Sequence, residues 1–184
     1  MKRLYISCYE NSDSQYKDRL ININNSRNNS LFIPILSNEK DFYKLQINLP
    51  NSVFIESVKK HIIKNADIVI FLVGLESNKR RIMDWEVRAA ISETSMLKKC
   101  GIVVVYLPEV VEKYGTKIPR SLLPKILQKN MMKNTVYVLE TTWRKMMNDI
   151  NDIERILNVG FAYGQMSKYI YDDNITVNNE KNIY

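Results

Sequence analysis

Six consecutive apolar residues, Ile68-Val69-Ile70-Phe71-Leu72-Val73, sit between Asp67 and Gly74 and constrain this chain more than any other feature. A strand that is apolar at every position has no solvent face, so it belongs in a parallel sheet covered on both sides. The run is far too short for a bilayer, which needs roughly 20 apolar residues. A second continuous apolar run, Ile102 to Leu107, requires the same double cover. Between the two, Arg80 to Lys98 carries apolar residues at helical spacing: Met83, Val87, Ala90, Ile91, Thr94 and Leu97 form one stripe. Lys98-Lys99 and Gly101 close that helix.

The flanking segments repeat the alternation of strand and helix. Lys2 to Cys8 reads as a strand, with Leu4, Ile6 and Cys8 on one side and Tyr5 and Ser7 on the other. Ser12-Asp13-Ser14-Gln15 has capping-box form and predicts a helix carrying Tyr16, Leu20 and Ile23 on one face. Asn22 to Ser30 is polar and reads as a loop. Leu31 to Ile35 is a short strand whose Pro34 places it at an edge. Asp41 to Asn51 is irregular, and Asn51 or Ser52 caps a helix from Val53 to Asn65. Pro108 to Pro124 is a long connection, with a short helix at Ser121 to Gln128. Thr135 to Leu139 is the last strand. Thr142 caps a helix over Trp143 to Leu157, and another follows Gly160.

Alternating elements of this kind predict an α/β, flavodoxin-like three-layer sandwich with a mostly parallel central sheet and extra C-terminal helices. With 184 residues, one domain over 1–171 is expected, followed by a polar tail over 172–184. Such sheets hold ligands at the carboxyl ends of their strands.

Several chemistries are excluded. There is no Gly-x-Gly-x-x-Gly and no phosphate-binding Gly-Lys-Ser/Thr, and the chain has only 5 glycines. His61 is the sole histidine and lies among Lys59, Lys60 and Lys64, so it reads as a solvated residue, and no metal site is expected. A phosphoacceptor receiver would want an aspartate at the end of the central strand, where Leu72-Val73-Gly74 stands. The net charge of +7 comes from scattered cations, with one cluster at Lys79-Arg80-Arg81. No nucleic-acid motif accompanies it, and a basic surface that suits an anionic nucleotide is as good an explanation. Cys8 and Cys100 read as buried thiols of a reducing compartment. With no apolar signal region at the N-terminus, a soluble cytoplasmic protein without membrane partners is expected.

Glu86 is the candidate catalytic residue. On the helix beginning near Arg80 it lies about 60° from Met83, at the border of core and solvent. There it is partly desolvated, faces a cleft and sits near the positive end of the helix. The plainer reading is a first-turn glutamate that steadies the helix, paired with Arg81 or Lys79.

Leu4-Tyr5-Ile6-Ser7-Cys8-Tyr9, the strand Ala66 to Gly74 and the helix Asp84-Trp85-Glu86-Val87-Arg88-Ala89-Ala90-Ile91 together resemble Toll/interleukin-1 receptor (TIR) domains. The resemblance is to the bacterial TIR-like family that includes the sensor of the Thoeris anti-phage system, and it covers about the first three-fifths of the chain. Ile82 stands where the family usually carries a tryptophan. The resemblance implies cleavage of the nicotinamide–ribose bond of NAD, with NAD a substrate and no cofactor. Nicotinamide leaves as a neutral molecule, so one carboxylate suffices where ordinary glycosides need two. In this role Glu86 stabilises the cationic ribose. Ser7, Cys8 and Tyr9 line the nucleotide pocket; Arg80 or Arg81 either pairs with the pyrophosphate or belongs to a solvated basic cluster, the plainer account. The product is ADP-ribose, a cyclic isomer or a conjugate, acting as a signal to a separate effector. Self-association is also implied. Two alternatives remain open: a non-catalytic interaction module, and a nucleoside deoxyribosyltransferase-like enzyme.

Overall fold

A computed structural model describes residues 1–28, 30–37, 39–45, 50–93, 98–133 and 136–168. Five strands form one all-parallel sheet in the order β2-β1-β3-β4-β5. They are β1 (Arg3–Ser7), β2 (Ile33–Ile35), β3 (Ile68–Val73), β4 (Gly101–Tyr106) and β5 (Val138–Thr142). The helices are α1 (Glu10–Ser26), α2 (Glu39–Phe42), α3 (Asn51–Ser57), α4 (Arg81–Ile91), α5 (Pro108–Tyr114), α6 (Lys125–Met132), α7 (Trp143–Met146) and α8 (Ile150–Met166). The flavodoxin-like expectation holds.

Both apolar runs lie in the middle of the sheet, and every residue of β3 and β4 is buried. Alternation divides their side chains between two cores. Val69, Phe71 and Val73 join the α3, α4 and α6 layer, while Ile68, Ile70 and Leu72 join the α1, α7 and α8 layer. In β1, Tyr5 faces the first layer, and Leu4 and Ile6 the second. Pro34 occupies the β2 edge, where no ladder donor is needed on the open side.

Several boundaries differ from the sequence reading. Helix α1 begins at Glu10 with Tyr9 as its cap residue, so Ser12 lies inside the helix and its hydroxyl donates to Asp13. The same helix runs through the expected loop to Ser26, because Asn24 is buried and bonded across to the β2 approach. Its amide donates to the Phe32 carbonyl at 3.1 Å, and its oxygen accepts from the Leu31 and Phe32 amides.

The cap of α3 is Pro50 without a side-chain bond, and the helix widens into a π turn over Val58–Ile63. That turn is ended by Lys64 and Asn65, both left-handed. Helix α4 stops at Ile91, where the buried Lys59 ammonium donates to the Ser92 carbonyl, so Lys98-Lys99 do not close it. Pro108 starts α5 at its N1 position, where the expected connection proves helical. Strand β5 is shifted to Val138–Thr142. Thr142 does cap a helix, accepting from the Lys145 amide at 3.3 Å, but only a short one. Asp149 then caps α8, which passes unbroken through Gly160. Thr94, Leu97, Thr135 and the 172–184 tail lie outside the described residues.

Glycine lets α8 lie directly on β4. A Cβ at Gly101 would meet the Gly160 carbonyl oxygen at 2.3 Å, and one at Gly164 would meet the Gly101 Cα at 2.5 Å. Neither contact leaves room for a side chain.

Candidate functional site

The alternation of β1 sends Tyr5 and Ser7 towards α4, and the β1–β3 register brings Ser7 level with Phe71 near the carboxyl edge. The Tyr5 hydroxyl donates to Glu86 Oε1 at 2.6 Å, and the Ser7 hydroxyl donates to Oε2. Both carboxylate oxygens of Glu86 therefore have a donor from one strand. Glu86 is 2% exposed, so the expected border position is corrected: it is enclosed between β1 and the first turns of α4. The neighbouring positions explain the enclosure. Ile82, Met83, Trp85, Val87, Ala89 and Ala90 are all buried, so α4 has core on nearly every side.

Burial raises the Glu86 carboxyl above its ordinary value. Arg80, the two hydroxyl bonds and Lys17 act against that rise. The same burial, with the Glu86 charge beside it, holds the Tyr5 hydroxyl well above the phenolic range. Tyr5 is therefore the protonated donor in this pair.

The other expected site residues lie around this carboxylate in different ways. Cys8 is buried with the opposite core, so its thiol faces away from α4. Burial pushes that thiol up to about 12. The Cys8 carbonyl, by contrast, is on the site side and accepts from the Arg80 guanidinium. Tyr9 is half-buried, and the Arg80 guanidinium lies 5.6 Å from its ring centre. Arg81 is exposed, and Lys79 pairs with Glu76. Trp85 packs edge-on against Phe54 with ring centres 4.8 Å apart, as core. His61 is exposed.

Tyr5 was missed in the sequence as a site residue, although the alternation that placed Ser7 places Tyr5 on the same face. Asp13 and Glu109 were also missed. Both approach Gly74: a Cβ there would meet Asp13 Oδ2 at 2.9 Å and Glu109 Oε1 at 3.0 Å. Gly74 is thus small to admit two carboxylates. They border a hollow of about 380 Å³ with Tyr16 and Glu76. Desolvation raises both carboxyls. Among the described residues, no group of three His, Cys, Asp or Glu is placed to hold a metal ion, and no helix is long and apolar enough to cross a membrane.

The family model described as "Thoeris protein ThsB, TIR-like domain" matches residues 5–112, from the start of the Tyr5–Ser7 pair through α4 and into α5. No curated protein matches the chain. The chain belongs to the Thoeris TIR-like family, and its role is therefore of TIR type in anti-phage defence.

Proposed function

We propose that this chain cleaves the nicotinamide–ribose bond of NAD, with Glu86 as the catalytic carboxylate, and releases an ADP-ribose-type signal, linear or cyclic. The observation that supports this reading is a single carboxylate, buried near the carboxyl edge of β1 and oriented by two hydroxyl donors. The glycosidic bond breaks with its electron pair passing to the pyridinium nitrogen, so nicotinamide departs neutral and needs no general acid. The positive charge moves to the ribose, where an ionised glutamate opposes it.

Burial makes an uncompensated Glu86 charge costly, and the cationic substrate supplies the missing compensation. Tyr5 and Ser7 keep the carboxylate in one orientation, and Ser7 can exchange its bond for a ribose hydroxyl. Cys8 takes part through its backbone carbonyl, and Tyr9 offers a ring face to the nucleotide. Water attack on the cation, with loss of a proton, yields ADP-ribose. Attack by an atom of the same ligand yields a cyclic isomer. The signal then reaches a separate effector, and self-association of the chain accompanies activity in the cytoplasm.

A non-catalytic interaction module is the second reading. What favours it is that Glu86 already has two donors and is 2% exposed, as a structural tie between β1 and α4 would be. Ile82, in the place of the family tryptophan, is buried. Mass spectrometry of nucleotides after incubation with NAD separates the two. Nicotinamide release by wild type and not by Glu86→Gln supports the enzyme. No release by either, even in lysate of phage-challenged cells, overturns it.

A further inference from the structure

A larger hollow, of about 790 Å³, opens at the carboxyl ends of β4 and β5. It shares no residue with the surroundings of Glu86: β5 is three strands from β1, roughly 14 Å at about 4.8 Å per strand. Most of its lining lies beyond residue 112, where the family match ends.

One wall is cationic. Trp143 and Met146 of α7 are buried, and Trp143 packs edge-on against Tyr16 with ring centres 5.0 Å apart. The two residues between them, Arg144 and Lys145, therefore turn outward, and both line the hollow. Among the described residues, neither side chain has a carboxylate partner. The carboxylates nearby are already engaged. Asp152 pairs with Arg155 at 2.7 Å and accepts from the Asn148 amide at 3.1 Å, and Glu140 accepts from the Tyr106 hydroxyl. Three cations thus converge on one hollow with two carboxylates, and an anion relieves the repulsion among them.

The facing wall is of another kind. Gly115, with φ of 59°, turns the chain out of α5. Val111 and Ile118, on either side of that turn, pack against the core and line the hollow. Glu140 lies on the same face of the sheet, paired in register with the buried Val104. Its Oε2 is taken by Tyr106, and its Oε1 has no donor among the described residues.

We infer that this hollow binds a phosphate monoester of a planar, donor-bearing body, the chemistry of a nucleoside monophosphate. Arg144 and Lys145 hold the phosphate by charge-assisted bonds, Val111 and Ile118 cover the ring, and Glu140 accepts from a donor on it. A hollow of this size suits a ligand of that class. The site is independent of the NAD-cleaving reading and involves no turnover.

Nuclear magnetic resonance of the ¹⁵N-labelled chain tests this with adenosine monophosphate as probe, and inorganic phosphate and adenosine as separate arms. Adenosine monophosphate should shift the amides of Thr116, Thr141, Thr142, Arg144 and Lys145 saturably. Phosphate alone and adenosine alone should each bind there about tenfold or more weakly. The double variant Arg144→Gln/Lys145→Gln, altered only at exposed positions, should keep its melting temperature and bind adenosine monophosphate about tenfold more weakly. Glu140→Gln should weaken the nucleotide and spare phosphate, which a merely basic patch would not do. Shifts that stay linear to about 10 mM overturn the inference. So do equal affinities for the nucleotide and phosphate, adenosine binding as tight as its monophosphate, or undiminished binding by the double variant.

Discussion

Glu86→Gln should stabilise the protein at neutral pH, and by more as pH rises. The side chain keeps its shape, so the change mainly removes a charge from a position that is 2% exposed. Burial raises the folded-state pKa above the ordinary value of 4.5, and this outweighs the hydroxyl bonds and Arg80. Between that ordinary value and the raised one, the folded chain holds a proton that the unfolded chain has lost. Wild-type stability therefore falls as pH rises through this window, by up to about 1.4 kcal/mol per unit. Above the window the difference is constant, and below it Gln and protonated Glu are nearly equal. Other carboxyls raised by burial, such as Asp13, Asp84 and Glu109, are shared by both proteins and cancel in the difference. Urea unfolding of both proteins at pH 5, 6, 7 and 8 reads the effect. With a slope of roughly 2–3 kcal/mol per molar urea, the midpoints should separate by about half a molar per pH unit inside the window. A gap that does not change with pH, or a variant less stable at pH 7 than at pH 5 relative to wild type, refutes the reasoning. The hydroxyls and Arg80 would then hold the ionised form more strongly than burial opposes it.

Gly164→Ala should lower the melting temperature by about 3–10 °C, despite the helix propensity it gains. Its Cβ would meet β4 backbone at 2.5 Å, which no side-chain rotation relieves, and overpacking of this kind costs about 1–3 kcal/mol; thermal denaturation followed by circular dichroism checks it. Asn24→Ala should cost about 1–3 kcal/mol, because it removes the partner of two amides and one carbonyl near β2. Amide exchange should show the loss of protection concentrated at residues 31–35. Cys8 and Cys100, pushed up to about 12 and about 11 by burial, should not react with a disulfide reagent at pH 8 in the folded protein, and both should react in denaturant. Fast reaction of either thiol in the folded state would contradict the burial described for them.

Part of this protein is legible from residue pattern alone. Ile68–Val73 and Ile102–Leu107 are apolar at every position, and a strand with no polar face has one stable location, the covered middle of a parallel sheet. Alternation in β1 likewise decides that Tyr5 and Ser7 share a face. The mismatches lie where a distant partner outweighs a local preference. Polar Asn22 to Ser26 reads as loop, yet the buried bonds of Asn24 to β2 keep it helical. The α4 pattern points beyond Ile91, yet the helix stops where Lys59 takes the Ser92 carbonyl. Gly160 reads as a break, yet helix-on-strand contact requires a small residue there. Glu86 shows the same division at the site. Its helix and its position on that helix follow from periodicity. Its enclosure, its two donors and the bond from Arg80 to the Cys8 carbonyl depend on β1 and α4 lying side by side, a juxtaposition of residues 3–9 with 80–86 that no local pattern encodes.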